Sequence, residues 1–205
     1  MSEQRKFQCI AVDPPWAKNQ RGARGASQYY PVMDLKQILN LPVGDLAEDN
    51  AVCWLWVTNT TIDEGYDVLR KWGFEPKSIL TWFKFRPSLG LGMTLRNDTE
   101  HVLLGIKGKL PIAVHNQPSW FVAPTREHSH KPEEFFAIAQ RCYPGGPYLE
   151  LFARRRQPGW ACWGNEIDSD IDIPGYPVPN SPSTRKNSQG VTDPQPEQKG
   201  VDHAP

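Results

Sequence analysis

The residues whose types and spacing could do chemistry stand near the start of the chain, as Asp13, Pro14, Pro15 and Trp16. Two consecutive prolines fix the backbone and remove two N–H donors, so that their carbonyl oxygens remain as rigid acceptors. A carboxylate beside such a carbonyl offers two acceptors, which matches an exocyclic amine with its two N–H donors. Engaging both hydrogens would orient the nitrogen lone pair, and Trp16 could stack on the ring that carries the amine.

The same four residues also have a simpler interpretation, because Asp and Pro are common in turns that follow strands. Residues 7–12 (FQCIAV) form an apolar run that predicts a short buried strand ending at Asp13. In α/β sheets, ligands bind in the crevice at the carboxyl ends of the strands. A Trp held behind two prolines at such a strand end therefore favours a binding role over a plain turn.

Further apolar runs and helical patterns indicate the elements that must position this motif. The other predicted strands cover 51–57, 78–84, 101–106, 148–152 and 161–163. Near-continuous apolar runs are typical of strands covered on both faces. Helical spacing predicts helices over 34–46, 61–72 and 132–142, with Pro42 breaking the first and Thr60 or Thr61 capping the second. Alternating strands and helices predict a three-layer α/β domain with a mostly parallel sheet.

Composition and charge bound the class of protein. The chain has 205 residues, enough for one domain with a sizeable core, and 23 basic and 23 acidic residues give a formal net charge of zero. Balanced charge does not announce a nucleic-acid-binding protein, although it can conceal a local basic stripe. The four cysteines form no CxxC pair, and neither a signal core nor a membrane-length apolar run occurs. We therefore expect a reduced, cytoplasmic protein without a membrane contact.

The composition changes at about Ile173. Residues 174–205 contain seven Pro and hardly any large apolar side chain apart from Tyr176. Polar, Pro-rich sequence buries too little surface to offset its chain entropy. We predict a folded domain over 1–172 and a disordered tail over 173–205.

Short motifs follow one another along the chain in an order that can be compared with known families. They are Asp-Pro-Pro-Trp at 13–16, Tyr-Pro-Val-Met at 30–33, Leu-Trp-Val-Thr at 55–58, Trp-Phe-Lys at 82–84, the stretch 96–105, Ser-His-Lys-Pro at 129–132, Glu-Leu-Phe-Ala-Arg at 150–154, Gly-Trp at 159–160 and Gly-Asn-Glu at 164–166. In this order they resemble the MT-A70 family of adenine-N6 methyltransferases. Each motif alone is weak, whereas their common order is specific.

The resemblance implies a Rossmann-like methyltransferase fold in permuted order, with the acceptor motif first and the cofactor-binding strand last. It implies that Asp13 and the Pro14 carbonyl hold the target amine, within a catalytic motif completed by Pro15 and Trp16. Tyr30 would flank the base. The residues expected to bind S-adenosylmethionine are Lys131, Glu150, Arg154, Asn165 and Glu166.

The chemistry of these residues agrees with the implied roles, although each also has an ordinary surface interpretation. Glu150 ends a predicted strand, where a carboxylate could bind ribose hydroxyls. Lys131 precedes a predicted helix, where a cation gains nothing from the helix dipole, and this favours a ligand role such as pairing with the methionine carboxylate. The loops 17–30 and 86–98, with Arg24 and Arg96, are the expected substrate contacts.

We therefore expect methyl transfer from S-adenosylmethionine to the N6 amine of adenine in nucleic acid. No metal is expected, because His128 and His130 have no third ligand at a convincing spacing. DNA is favoured over RNA because the small chain without an N-terminal extension resembles prokaryotic and phage members. RNA methylation and a non-catalytic, nucleic-acid-binding scaffold subunit are the alternatives, and the intact 13–16 motif argues against the scaffold. A partner subunit or a homodimer could supply nucleic-acid affinity.

Overall fold

A seven-stranded sheet lies at the centre of the computed structural model, which describes residues 5–17, 32–86, 95–125 and 130–176. The strands are β1 (Phe7–Val12), β2 (Ala47–Val57), β3 (Glu75–Phe85), β4 (Thr99–Lys107), β5 (Trp120–Pro124), β6 (Tyr148–Leu151) and β7 (Trp160–Trp163). Their order across the sheet is β5-β3-β4-β2-β1-β6-β7. Parallel pairing joins β1 to β2 and β6, β6 to β7, and β3 to β5, whereas β4 is antiparallel to β2 and β3. The prediction of a mostly parallel sheet is confirmed.

Helices cover both faces of the sheet, as the near-continuous apolar strands require. The helices are α1 (Leu35–Leu39), α2 (Val43–Leu46), α3 (Ile62–Lys71) and α4 (Glu133–Cys142). One apolar cluster joins α1, α2 and α3 to one sheet face, and a second, rich in aromatic side chains, joins α4 to the other. Consecutive residues of β1 therefore point to opposite faces of the sheet: Ile10 packs in the first cluster and Ala11 in the second. We call these the α3 face and the α4 face.

The predicted elements differ from the structure in two places. Pro42 separates α1 from α2, as expected. Thr61 occupies the N-cap position of α3, but the expected capping bond is absent, since its hydroxyl accepts from the Thr58 N–H (3.0 Å) instead. The strand β5 was not predicted. It is a five-residue strand at the sheet edge that ends at Pro124, and such short edge strands carry a weak signal in sequence.

The folded chain continues past the predicted boundary at residue 173. Ile173 is 4% exposed and belongs to the α3-face cluster. The Tyr176 hydroxyl donates to the Asn40 carbonyl at 2.7 Å. The boundary was placed too early because a Pro-rich composition hides the two side chains that dock. Residues 177–205, for which we predict disorder, lie outside the described residues.

We expect Ile173→Ala to lower the free energy of unfolding by about 2–4 kcal/mol, because it removes a fully packed side chain from the core. Asp172→Ala, at the exposed neighbouring position, should change it by less than about 0.5 kcal/mol. Urea unfolding at pH 7 measures both. Equal, small effects would show that the folded domain ends before Ile173.

Candidate active site

The charged residues singled out by the motifs meet at the carboxyl edge of the sheet, on the α4 face. Asp13 directly follows β1, and Glu150 lies in β6, where its Cα is the partner of Ala11 in β1. Lys131 stands two residues before α4. Because β1 and β6 are adjacent and parallel, their carboxyl ends bring two carboxylates to the N-terminal end of one helix. This is the ligand-binding edge of an α/β sheet.

Lys131 is the centre of the site. Its ammonium lies 3.0 Å from Asp13 Oδ2 and 3.0 Å from Glu100 Oε2. It also lies 4.7 Å from the centroid of the Trp56 ring. Its side chain is only 11% exposed, compared with 24% for Asp13 and 20% for Glu100. A cation this buried needs paired anions, so the three side chains hold one another in place.

Glu100 extends the network to a second ammonium. Its other oxygen, Oε1, lies 2.5 Å from Lys84 Nζ. The strand register explains the contact, since Glu100 in β4 is paired with Trp82 in β3, and Lys84 follows on the same face. The result is a chain of alternating charges, Asp13–Lys131–Glu100–Lys84, across the edge of the sheet.

The neighbouring charges determine the charge states of Glu100 and Lys131. Burial acts to raise the pKa of Glu100, but the charges of Lys131 and Lys84 outweigh it and hold that pKa at about 2. Burial likewise acts to lower the pKa of Lys131, but the charges of Asp13 and Glu100 leave that pKa above its usual value. Both partners are therefore ionised at neutral pH.

Glu150 has the opposite character. Its Oε2 is buried without a hydrogen-bond partner. Burial, followed by the charge of Asp13, raises the pKa of Glu150 to about 8, against the smaller effects of Arg155 and Lys131. A buried polar atom without a partner is costly unless a ligand completes it. Glu150 is thus prepared to accept hydrogen bonds from hydroxyl groups.

The Asp-Pro-Pro-Trp segment is held rigidly. The Pro14 carbonyl accepts from the Trp16 N–H at 2.9 Å, and the Pro15 carbonyl accepts from the Met33 N–H at 2.8 Å. The Trp16 indole N–H donates to the Trp56 carbonyl at 3.0 Å. A carbonyl oxygen has two lone pairs, so the Pro14 oxygen can accept one further donor.

Trp16 packs into the core instead of presenting its ring. It is 6% exposed and belongs to the α3-face cluster. The structure therefore gives it the role of anchoring the motif to the end of β2. The expected stacking on a base stays a prediction, and this conformation offers little of the indole surface for it.

A pocket collects most of the expected cofactor-binding residues. It is lined by Asp13, His130, Lys131, Phe136, Glu150, Phe152, Arg154 and Arg155. Phe152 has a positive φ of 65°, which turns the chain sharply after β6. Arg155 pairs with Glu133 of α4 across this region.

The remaining expected residues lie elsewhere. Asn165 and Glu166 follow β7, the neighbouring strand, where Asn165 is partly exposed and Glu166 is exposed. A tight backbone approach at Gly164 sets their position, because a Cβ there would lie 1.8 Å from the Ala153 carbonyl oxygen. Arg96 is exposed ahead of β4. Tyr30 and Arg24 lie outside the described residues.

Sequence reasoning assigned no role to Glu100 and Lys84, which complete the charged chain, or to Trp56, whose ring lies against the Lys131 ammonium. All three stand inside the short motifs at 55–58, 82–84 and 96–105, so the signal was present. The pairing needs the antiparallel register of β3 and β4, which the sequence did not give. The structure also shows that the expected ligand Lys131 already holds two carboxylates of the protein itself.

The described ranges contain no group of three or more His, Cys, Asp and Glu side chains that could hold a metal ion. Within the same ranges, no helix is long and apolar enough to cross a membrane. The four cysteines are free and buried.

The mixed α/β fold with its seven-stranded sheet is consistent with a methyltransferase fold, and comparison with known proteins gives the family. The MT-A70 family model matches residues 7–166, so the chain belongs to the MT-A70 family. The resemblance seen in the sequence is confirmed.

Three relatives illustrate the range of this similarity. The human N(6)-adenosine-methyltransferase catalytic subunit METTL3 is 32% identical over 173 residues, which are 80% of this chain and 28% of METTL3. The type II methyltransferase M.MunI of a Mycoplasma species is 31% identical over 193 residues, 83% of this chain and 82% of M.MunI. The mouse N(6)-adenine-specific methyltransferase METTL4 is 32% identical over 180 residues, 78% of this chain and 37% of METTL4. The chain thus spans less than a third of METTL3 but most of M.MunI.

We expect Glu100→Gln to lower the free energy of unfolding at pH 7 by about 3 kcal/mol, because it leaves Lys84 without its anion and Lys131 with only one. The folded-state pKa of Glu100, about 2, lies below its usual 4.5. Its stabilisation is therefore present above pH 4.5 and is lost as the pH falls towards 2. Chemical denaturation from pH 2 to 7 should show a shallower acid limb for the variant. Asp67→Asn, which removes an exposed ion pair with Arg70, is the control and should have little effect.

We expect Glu150→Gln to stabilise the protein at high pH. The folded-state pKa of Glu150 is raised to about 8, so its contribution to stability is full below about pH 4.5 and is lost as the pH rises through 8. At pH 8.5 the variant should exceed the wild type by about 2 kcal/mol, whereas the exposed Glu134→Gln should not. Urea unfolding at pH 5 and pH 8.5 measures the difference. A gain that is equal at both pH values would contradict the raised pKa.

Proposed function

We propose that this protein transfers a methyl group from S-adenosylmethionine to the N6 amine of adenine in nucleic acid, with DNA as the favoured substrate. The observation that carries the proposal is the Asp13 carboxylate, fixed by a buried Lys131 beside the rigid Pro14 carbonyl. Membership of the MT-A70 family and relatives named as adenine or adenosine methyltransferases support it.

The residues present fit S-adenosylmethionine. The buried, partnerless oxygen of Glu150 suits the two hydroxyls of a ribose. Arg154 and Arg155 line the same pocket and suit an anionic carboxylate. Lys131 has three N–H donors and the two carboxylates use two, so one is left for the same group. Asn165 and Glu166 follow β7 and complete the proposed set.

The mechanism rests on orienting the amine. When bound, S-adenosylmethionine supplies a methyl carbon made electrophilic by the sulfonium, and the new N–C bond replaces the S–C bond. Asp13 accepts from one N–H of the amine, and the Pro14 carbonyl accepts from the other. Lys131 holds the Asp13 carboxylate in place through their 3.0 Å contact, and the carboxylate can also take the proton that the amine loses. No covalent intermediate with the protein is needed.

The names and matched lengths of the relatives support DNA as the first candidate polynucleotide. The names of the METTL3 proteins specify adenosine, which is a ribonucleoside, and the chain spans only 28% of human METTL3. M.MunI, which is named a type II methyltransferase, is a relative matched over most of both lengths. DNA is therefore the first substrate and RNA the second candidate. A base in a duplex must leave the stack, so single-stranded substrate lowers the cost.

The same proposal includes the permuted strand order, the extent of the catalytic domain, a partner and a cytoplasmic location. The sheet order, with β1 between β2 and β6, supports a permuted methyltransferase arrangement in which the acceptor strand is first and the cofactor strand late. The catalytic domain comprises the chain up to Tyr176. A partner subunit or a homodimer supplies further nucleic-acid contacts, and the free cysteines suit the reducing cytoplasm.

The test is methyl transfer from labelled S-adenosylmethionine to unmethylated DNA and, in parallel, to RNA, followed by digestion to nucleosides. Asp13→Asn should reduce the transfer rate by about 100-fold or more, because an amide donor replaces an acceptor that the amine needs. Asp172→Asn, on the exposed surface, is the matched control and should keep full activity.

Each product has a definite meaning. N6-methyldeoxyadenosine that depends on Asp13 supports the DNA activity, and N6-methyladenosine in the RNA arm assigns RNA instead. Cofactor binding without either product would overturn the proposed activity for this chain alone.

A further inference from the structure

A second polar network lies behind the charged chain, on the α3 face of the same strand. His101 follows Glu100 in β4, so the two side chains point to opposite faces of the sheet. The His101 ring lies with Nδ1 at 3.0 Å from the Thr81 hydroxyl and Nε2 at 2.7 Å from Asn59 Oδ1. The Asn59 amide nitrogen donates to Asn97 Oδ1 at 3.2 Å. We call Thr81, His101, Asn59 and Asn97 the asparagine ladder.

The partners give every bond in the ladder a direction. Asn59 Oδ1 can only accept a hydrogen bond, so His101 Nε2 carries a hydrogen and donates it to Asn59 Oδ1. Burial lowers the pKa of His101, so the ring is neutral at pH 7 and Nδ1 accepts from the Thr81 hydroxyl. Asn59 therefore keeps its amide nitrogen outward, where one N–H reaches Asn97 and the second is available to a ligand.

Arg86, the residue after β3, contacts the ladder at Asn97 and also contacts Asp98. Arg86 donates from Nη2 to the Asn97 carbonyl at 2.5 Å and from Nε to Asp98 Oδ1 at 2.7 Å. Asp98 is thereby neutralised by an ion pair. Asn59 and Asn97 are both exposed, and Asp98, the neighbour of Asn97 in the chain, is paired with Arg86.

The position of the ladder matches a polynucleotide that enters the site. In the parallel register of β1 and β2, Val12 is the partner of Leu55, so Asp13 lies opposite Trp56. Asn59 lies three residues beyond Trp56, just after the end of β2. Adjacent strands are only about 4.8 Å apart. The amides therefore border the edge at which the target base must arrive.

We propose that the asparagine ladder is a nucleic-acid contact surface, in which Asn59 and Asn97 donate hydrogen bonds to the strand that carries the target adenine. His101 is a positioning residue that sets the orientation of the Asn59 amide. This inference rests on the proposed function and adds the residues that hold the strand. Neutral amides suit phosphate and sugar oxygens, which carry most protein–nucleic-acid hydrogen bonds.

The experiment compares matched charge changes at the two ends of the sheet. Asn59→Asp keeps the oxygen that accepts from His101 but replaces the outward donor with an anion. Asn50→Asp makes the same change near the start of β2, where Asn50 Oδ1 accepts from the Lys109 N–H at 2.7 Å. The Kd is measured by fluorescence anisotropy with an oligonucleotide that contains adenine, made of DNA or RNA according to which of the two the protein methylates. Asn59→Asp and Asn97→Asp should each raise the Kd about tenfold, and Asn50→Asp should leave it within about twofold.

The His101 variants separate positioning from a merely structural role. Glutamine places an amide N–H near the position of Nε2 and can still donate to Asn59, whereas asparagine reaches only the position of Nδ1. We expect His101→Asn to raise the KM for oligonucleotide about fivefold while kcat and the affinity for S-adenosylmethionine stay unchanged, and His101→Gln to restore the KM.

The outcomes distinguish this inference from the proposed function. If the wild type neither methylates nor binds any oligonucleotide, the proposed function and this inference fail together. If the wild type methylates while Asn59→Asp and Asn97→Asp bind as tightly as Asn50→Asp, only the ladder is overturned. Equal losses in all three variants would show a long-range charge effect and would also overturn it.

Discussion

The placement of one buried ammonium between two carboxylates is the constraint on which the rest of the site depends. Removing either Asp13 or Glu100 would destabilise the folded protein, because the buried Lys131 ammonium would be left with an uncompensated charge. Asp13 is consequently fixed by an element outside its own strand. The seven-stranded sheet makes this possible, since it brings the end of β1, the start of β4 and the approach to α4 to one edge. Catalytic geometry and local stability are therefore coupled in the same side chains.

Two carboxylates of the site, Glu100 and Glu150, have opposite environments. Glu100 has both its oxygens paired and a low pKa, whereas Glu150 has one buried oxygen, Oε2, without a hydrogen-bond partner and a pKa raised to about 8. A group kept unsatisfied in the free protein costs stability that a ligand with hydroxyl donors recovers. Such a division between a completed network and an incomplete one is typical of binding sites that trade stability for function. This division supports the proposal that the Glu100 network orients the acceptor through Asp13 and that Glu150 binds the cofactor.

Much of this could be predicted from the sequence, because strand ends and motif order are local signals. Strand prediction placed Asp13 and Glu150 at one edge and the family resemblance added Arg154, and the structure brings all three to one pocket. The partners of Lys131 could not be predicted, since Glu100 lies 31 residues away and reaches it only through the register of an antiparallel strand. The packing of Trp16 was missed for the same reason, because its partner is a carbonyl of β2. Long-range register, rather than local propensity, is what the sequence left undetermined.

The most direct test of the central claim is a double-mutant cycle on the rate of methyl transfer in a single turnover, at saturating cofactor. The variants are Glu100→Gln, Lys131→Gln and the two combined. If Glu100 acts on Asp13 through Lys131, the double variant should react no more slowly than Lys131→Gln alone. Multiplicative losses would show that the two residues act independently and would contradict the account of a single charged chain that holds the catalytic carboxylate.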